Sequence, residues 1–263
     1  RGDDDLAIEE WLYVLSVQAE EAGGAVHRII GNHELMNAMG NHRDATKKSF
    51  TKFGGLKHLY EDWMAASNSN LLKTPEWTWN RISAMRAGGP VSKLLSGHSV
   101  VMKIGNTLVV HAGVLAGHLK GEDCERGMGC LEKLNNLISD YLFNGGSMPK
   151  DLMWGEDSPV WTRSYSSPDG RPLSAKNEVE LEGVLKDTGT VRMIVGHTPQ
   201  RSGINSAGKG KVWRVDTGMT KMVGGRPEVL EILEGREVKI LTKNGPIDES
   251  ERSADAVRLS NWF

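Results

Sequence analysis

Val191-Arg192-Met193-Ile194-Val195-Gly196-His197-Thr198 is the stretch on which the fold turns. Val191 to Val195 read as a buried strand, dominated by branched apolar side chains. A glycine then loosens the backbone, and a histidine stands just past the strand end. The same order recurs upstream. Ile29-Ile30-Gly31-Asn32-His33 ends a short β-rich run that begins at Ala25, and Val109-Val110-His111 ends a strand that begins at Thr107. Strands of one sheet that stop at the same edge bring their last side chains together, and in open α/β sheets that edge is where ligands bind. Asn32, His111 and His197 supply an amide oxygen and two imidazoles, donors suited to Mn²⁺, Fe²⁺ or Zn²⁺ rather than Ca²⁺. The pattern predicts an α/β fold in which these three side chains converge on one cation.

Outward from these strand ends the chain reads as follows. Asp3 to Asp5 offer capping oxygens to a helix whose apolar stripe is Leu6, Ile8, Trp11, Leu12, Leu15 and Ala19, ended by Gly23-Gly24. Residues 41–89 read as a helical insertion, with Trp63, Trp77 and Trp79 as packing side chains. Ser99 to Ile104 and Thr107 to Val110 form a hairpin around Gly105-Asn106. Residues 129–143 and 176–187 read as helices. Lys211 to Val215 is a strand ending in Asp216-Thr217-Gly218. Val229 to Leu233 and Arg236 to Leu241 make a closing hairpin. The expected organisation is one domain over residues 1–242, and a polar, loosely held tail over 243–263.

Composition narrows the classes. With 32 Lys plus Arg against 34 Asp plus Glu, the net charge of -2 gives no electrostatic case for nucleic acid or an anionic membrane surface. No apolar run is long enough to span a bilayer. Cys124 and Cys130 are the only cysteines. They are expected as free thiols of a reducing compartment, with a local redox-sensitive disulfide as the alternative. His27, His42, His58, His98 and His118 lack a strand-end setting and read as surface or core residues.

Gly31-Asn32-His33-Glu34 resembles the GNHE signature of the calcineurin-like metallophosphoesterases, and in particular of the PPP-type protein phosphatases. Arg1-Gly2 resembles the end of their GDxxDRG signature. Val110-His111-Ala112-Gly113 resembles their HGG motif, with Ala112 where glycine is usual. Gly196 to Gln200 resembles the later histidine motif, and Val160 to Tyr165 the segment that carries a phosphate-binding arginine. Gly88-Gly89-Pro90, Val195 to Gly203 and Val212 to Ile232 are similar to the Shewanella-like protein phosphatase family, most of all its plant, chloroplast-type branch.

The resemblance implies a β-sandwich of mixed sheets flanked by helices. It implies a metal-dependent phosphomonoesterase acting on phosphoserine, phosphothreonine or phosphotyrosine in proteins, with two divalent ions (Mn, Fe or Zn) and a metal-activated water. Asn32, His111 and His197 would hold one metal. Arg1, Asn32 and Arg163 would grip the phosphate, since guanidinium forks match phosphate oxygens. His33 would protonate the leaving oxygen, a task suited to an imidazole. Asp216 reads either as a carboxylate orienting a ligand imidazole or as a turn residue, and Glu34 as a brace for its loop. A chloroplast location follows from the same likeness, with the cytoplasm as the alternative; regulatory partners are not readable.

The family's first-metal ligands and its bridging aspartate belong upstream of Arg1 and are absent here. Arg1 to Asp5 read as a chain cut inside a loop, so residues 1–263 alone are expected to bind metal poorly and turn over little. Two other readings compete. A dinucleoside polyphosphate hydrolase on this scaffold would need the insertion's tryptophans as a base-stacking pocket. An inactive phosphoprotein-binding module would need the upstream signatures to be truly missing from the coding sequence.

Overall fold

Thr107–Val110 (β2) and Arg192–Val195 (β3) are parallel neighbours in the middle of a five-stranded mixed sheet. The computed structural model describes residues 2–53 and 75–255. Val101–Ile104 (β1) pairs antiparallel with β2 around the Gly105 turn, where φ is +58°. Val212–Arg214 (β5) runs parallel to β3 on its other side, and Asn205–Ala207 (β4) closes that edge antiparallel to β5. Burial drives this arrangement. Leu108, Val110, Met193, Val195, Val212 and Trp213 are all buried, which suits strands covered on both faces.

Glu228–Leu233 (β6), Glu237–Thr242 (β7) and Gly245–Asp248 (β8) form a second, antiparallel sheet in the order β6-β7-β8. Ile204 and Trp213 of the first sheet's region and Ile240 of the second are fully buried together. Ile194, Val215, Leu230, Val238 and Ile247 pack around them. This is the sandwich core, and it corrects the expected loose tail. Ile247 sits opposite Ile240 in the ladder and joins the same cluster, so Gly245–Asp248, beyond Thr242, is held as a strand.

Contacts divide the chain into two compact units. One is Arg1–Ser99 with Ile138–Met148, and the other is Val100–Leu137 with Pro149–Phe263. Both sheets belong to the second unit. So do Lys150–Met153 (α7) and Ala175–Thr188 (α8), the latter capped by the Ser174 hydroxyl and ended by Gly189 at φ +61°. Cys124 and Cys130 are also here, and they are joined as a disulfide with Cα atoms 4.9 Å apart, not free as expected. The Cys130 N–H donates to the Glu125 carbonyl at 2.9 Å, and this closed turn brings the two sulfurs together.

The first unit carries Asp5–Glu21 (α1), Asn32–Ala38 (α2), Lys47–Thr51 (α3), Trp79–Met85 (α4) and Pro90–Leu95 (α5). Met128–Asn144 (α6) contributes residues to both units. Two expectations change in the first unit. The run from Ala25 to Ile30 is no strand; only Ile29 makes a bridge, to Ser99, and the Ile30 N–H donates to the Ser99 carbonyl at 2.9 Å. Helix α1 forms as expected, but none of its residues is buried, and Ile8 and Trp11 are exposed. Nor do Asp3 to Asp5 cap it with side-chain bonds; Asp3 and Asp5 turn to Thr46, Ser49 and Arg81 instead. The insertion read over 41–89 is described only in part, as α3, a 3₁₀ turn at Glu76–Thr78 and α4. Arg1, His58 and Trp63 lie outside the described residues.

Candidate active site

His111 and His197 stand one residue or two past the ends of β2 and β3. Because these strands are parallel and in register, Val110 opposite Val195, the two imidazoles meet at one sheet edge. Their ring centroids are 5.2 Å apart at 65°. Three backbone features set the pair. The Gly196 N–H donates to the His111 carbonyl at 2.8 Å, which continues the ladder past the strands. The Ala112 and Gly113 N–H groups both donate to the Pro159 carbonyl, at 3.0 and 3.1 Å. The Thr198 N–H closes a three-residue turn onto the Gly196 carbonyl at 2.7 Å, with His197 at its centre in the left-handed region at φ +62°. A non-glycine residue held there costs about 1–3 kcal/mol, and such strain concentrates at functional sites.

Gly113 has no room for a side chain: a Cβ there would come within 2.7 Å of the Tyr165 ring. That closeness ties the His111 loop to the segment that carries Arg163. Tyr165 is fully buried, donates its hydroxyl to the Val114 carbonyl at 2.9 Å, and has its phenol pushed upward by burial. The Ser166 hydroxyl donates to Thr198 Oγ1 at 2.8 Å, the residue next to His197. Asn177 donates to the Ser164 carbonyl at 2.5 Å. Arg214, buried under this segment, donates to the Tyr165 carbonyl at 2.7 Å; burial lowers its guanidinium to about 10. Arg163 is itself exposed on a segment held at Ser164, Tyr165 and Ser166. The sequence reading picked out Arg163 but missed the Ser166–Thr198 bond, because two hydroxyls 32 positions apart leave no periodic signal.

Asp216 follows β5. Its carboxylate accepts from the Gly218 N–H at 2.9 Å and its carbonyl from the Gln200 N–H at 2.7 Å, so it organises the turn between the two loops.

In the other unit, Gly31 is the extended residue before α2 and Asn32 the first residue of that helix, 3% exposed. Glu34 reaches back to accept from the Gly31 N–H at 2.8 Å, the bracing role expected of it. His33 is half-buried, with Nδ1 3.9 Å from Asp44 Oδ2. Its carbonyl accepts from Asn37 Nδ2 at 2.6 Å, and Asn37 Oδ1 in turn accepts from Arg81 at 3.3 Å. Arg81 is 3% exposed and donates to Asp5 at 2.5 Å and to Ser49 at 2.6 Å, with its guanidinium over Phe50 and Phe53. A cavity of about 80 Å³ borders this cluster, lined in part by Glu9, His33, Asn37 and Arg81.

Of the remaining histidines, His98 is buried and His42 and His118 are partly buried. His42 and His98 are both lowered to about 4, first by burial and then by a neighbouring arginine, Arg81 and Arg28 respectively. His118 is lowered too, mainly by burial; its Nδ1 accepts from the Leu115 N–H, so Nε2 carries the hydrogen donated to Asp157.

The donor chemistry fits a divalent cation. Two imidazoles at one edge suit Mn²⁺, Fe²⁺ or Zn²⁺. Among the described residues no group of three or more His, Cys, Asp and Glu side chains is arranged to hold an ion. His111 and His197 place two imidazoles, both possible nitrogen donors, at one sheet edge.

The two sheets and flanking helices make this a metallophosphoesterase fold. A cold-active protein-tyrosine phosphatase of a psychrophilic Shewanella species superposes with a TM-score of 0.65 at 23% identity, covering 92% of this chain and 64% of that one. A Saccharomyces cerevisiae protein serine/threonine phosphatase with similarity to human PP5 gives 0.51 at 14% identity, covering 94% and 64%. No protein-family model matches the chain. Shewanella-like protein phosphatase 2 of Arabidopsis thaliana is 33% identical over an alignment covering 93% of this chain and 66% of the relative. A Schizosaccharomyces pombe protein is 29% identical, over 88% and 62%. The chain is similar to the Shewanella-like protein phosphatases, and it spans under two thirds of the length of these relatives.

Proposed function

We propose that this chain carries the phosphate-binding and metal-binding half-site of a metal-dependent phosphoprotein phosphatase. The observation that supports it most is the imidazole pair, with rings 5.2 Å apart at the ends of parallel strands and one of them held in a strained turn. In this reading His111 and His197 hold one divalent cation. A cation bound there supplies positive charge opposite the phosphate and makes water more acidic.

The chain's own residues do the rest. Arg163 sets a permanent positive charge and a bidentate donor against the phosphate oxygens. Its segment is tied to the His197 turn by the Ser166–Thr198 hydrogen bond. Positioning of this kind carries most of phosphoryl transfer, where little covalent chemistry falls to the protein. His33 delivers the proton to the departing alkoxide, with Asn37 and Arg81 holding its backbone.

The test is phosphate release from phosphoserine, phosphothreonine and phosphotyrosine peptides by the full-length protein, with Mn²⁺ and after chelation. Turnover is expected with the metal and lost without it. His111→Ala is expected to lower kcat/KM by about a hundredfold or more, since loss of even an outer partner of a metal ligand costs about 10–100-fold. Unchanged turnover in His111→Ala would remove the basis of the reading.

A further inference from the structure

Arg214 is a buried charge that the proposed chemistry leaves unused. It lies on β5 opposite Val195, which stands two positions before His197. The side chain is 1% exposed, and its contacts are all neutral. Nε donates to the Tyr165 carbonyl at 2.7 Å, Nη1 to Asn205 Oδ1 at 3.2 Å and Nη2 to the Arg171 carbonyl at 2.9 Å. No carboxylate pairs with it among the described residues. Asp216, two positions on, holds the Gly218 N–H instead. Asp255 favours the charged form only through space, since its carboxylate accepts from the Lys209 N–H at 2.6 Å. Burial lowers the guanidinium only to about 10, so it stays protonated at neutral pH.

Buried charges are paired as a rule, because removing an ion from water is costly. Asn205 stands where an aspartate of the same shape would complete an ion pair. The fold keeps an amide there, and the positive charge is left uncancelled beneath the segment that carries Arg163. We infer that Arg214 acts as a fixed positive charge behind the phosphate site, drawing the phosphate dianion toward Arg163 without touching it. The inference rests on the phosphatase reading above. Arg163 is two residues from Tyr165, so the Arg214 guanidinium lies within roughly 12 Å of the Arg163 Cα. At that separation one buried charge, weakly screened by salt, strengthens binding of a dianion by about three- to tenfold.

Calorimetry on the Mn²⁺-loaded full-length protein with inorganic phosphate reads this directly. Asn205→Asp keeps the acceptor oxygen on the guanidinium and adds a negative charge beside it, so phosphate should bind about three- to tenfold more weakly. Asn205→Ser drops the same amide donors to Gln200 and Gly203 without adding charge, and should bind phosphate much as the wild type does. Arg214→Gln removes the charge and keeps a donor for the Tyr165 carbonyl; its loss should match that of Asn205→Asp. Circular dichroism checks the fold of each variant, and either charge-altering variant alone decides the matter. Equal losses in Asn205→Asp and Asn205→Ser would make shape the cause, and unchanged binding in Asn205→Asp or Arg214→Gln would show that the charge is not felt; either result overturns the inference. If the wild type binds no phosphate and releases none from phosphopeptides, the phosphatase reading is wrong and the role of Arg214 goes with it. If the wild type binds phosphate and turns over while the charge-altering variants bind it equally well, the phosphatase reading stands and only the role of Arg214 falls.

Discussion

The residues behind His33 and those behind His197 are held by different physics. Behind His33 the support is ionic and partly buried: Arg81 with Asp5, and Arg28 with Glu9 at 3.2 Å, alongside the depressed imidazoles of His42 and His98. Behind His197 no carboxylate takes part: the support is a backbone ladder, the Ser166–Thr198 hydroxyl pair, the Tyr165 hydroxyl on a carbonyl, and the buried Arg214 guanidinium held by carbonyl and amide oxygens. Buried charges are costly to leave half paired, whereas a neutral hydrogen bond contributes a modest net amount. The first region should therefore respond sharply to single changes and to pH, and the second should degrade gently.

The sharpest way to break this contrast is at Asp5. Its removal leaves the nearly buried Arg81 guanidinium without its carboxylate. Asp5→Ala is expected to destabilise by about 3 kcal/mol, at the lower end for an orphaned buried charge because Asp5 itself is partly exposed. Urea denaturation reads this directly, and a change under 1 kcal/mol would show that the ionic support is decorative.

Acid comes next. His42 and His98 sit near 4 in the folded chain, below the ordinary 6.5. Between those values the unfolded chain binds protons that the folded chain does not, so stability is full above about pH 6.5 and falls as pH drops toward 4. Glu9 opposes this: burial raises its carboxyl above 4.5, so its contribution fades as pH rises through the raised value. Denaturation midpoints at pH 7, 5.5 and 4.5 should decline, and His98→Phe should flatten the decline. A flat wild-type profile would erase the predicted difference between the regions.

The gentlest change is Ser166→Ala. It removes one neutral hydrogen bond beside His197 and is expected to cost about 1 kcal/mol. A loss of about 3 kcal/mol or more would mean the His197 region is as demanding as the ionic one.

Period and chemistry carried much of this into view beforehand. Branched apolar runs announced β2 and β3, and the histidines after them were legible because a strand end is a fixed place for a side chain. Helices at 129–143 and 176–187 lie within one residue of α6 and α8 at each end. The misses share a cause. The run at Ala25 to Ile30 looks like a strand but finds only one bridge, because pairing depends on a partner elsewhere in the chain. β4 and β8 are short and polar, so their placement comes from Ile204 and Ile247 packing in the sandwich rather than from local pattern. Arg81 gave no signal, since nothing in a helical Trp-Asn-Arg says that its guanidinium turns inward to Asp5, 76 positions away.

The left-handed bend at His197 has a consequence for protein engineering. Few side chains tolerate that backbone; asparagine does so better than most, and its amide oxygen is a metal donor in its own right. On the metal-binding proposal, His197→Asn is thus the substitution that swaps nitrogen for oxygen while sparing the loop, and it would make this position a handle for retuning the choice of ion.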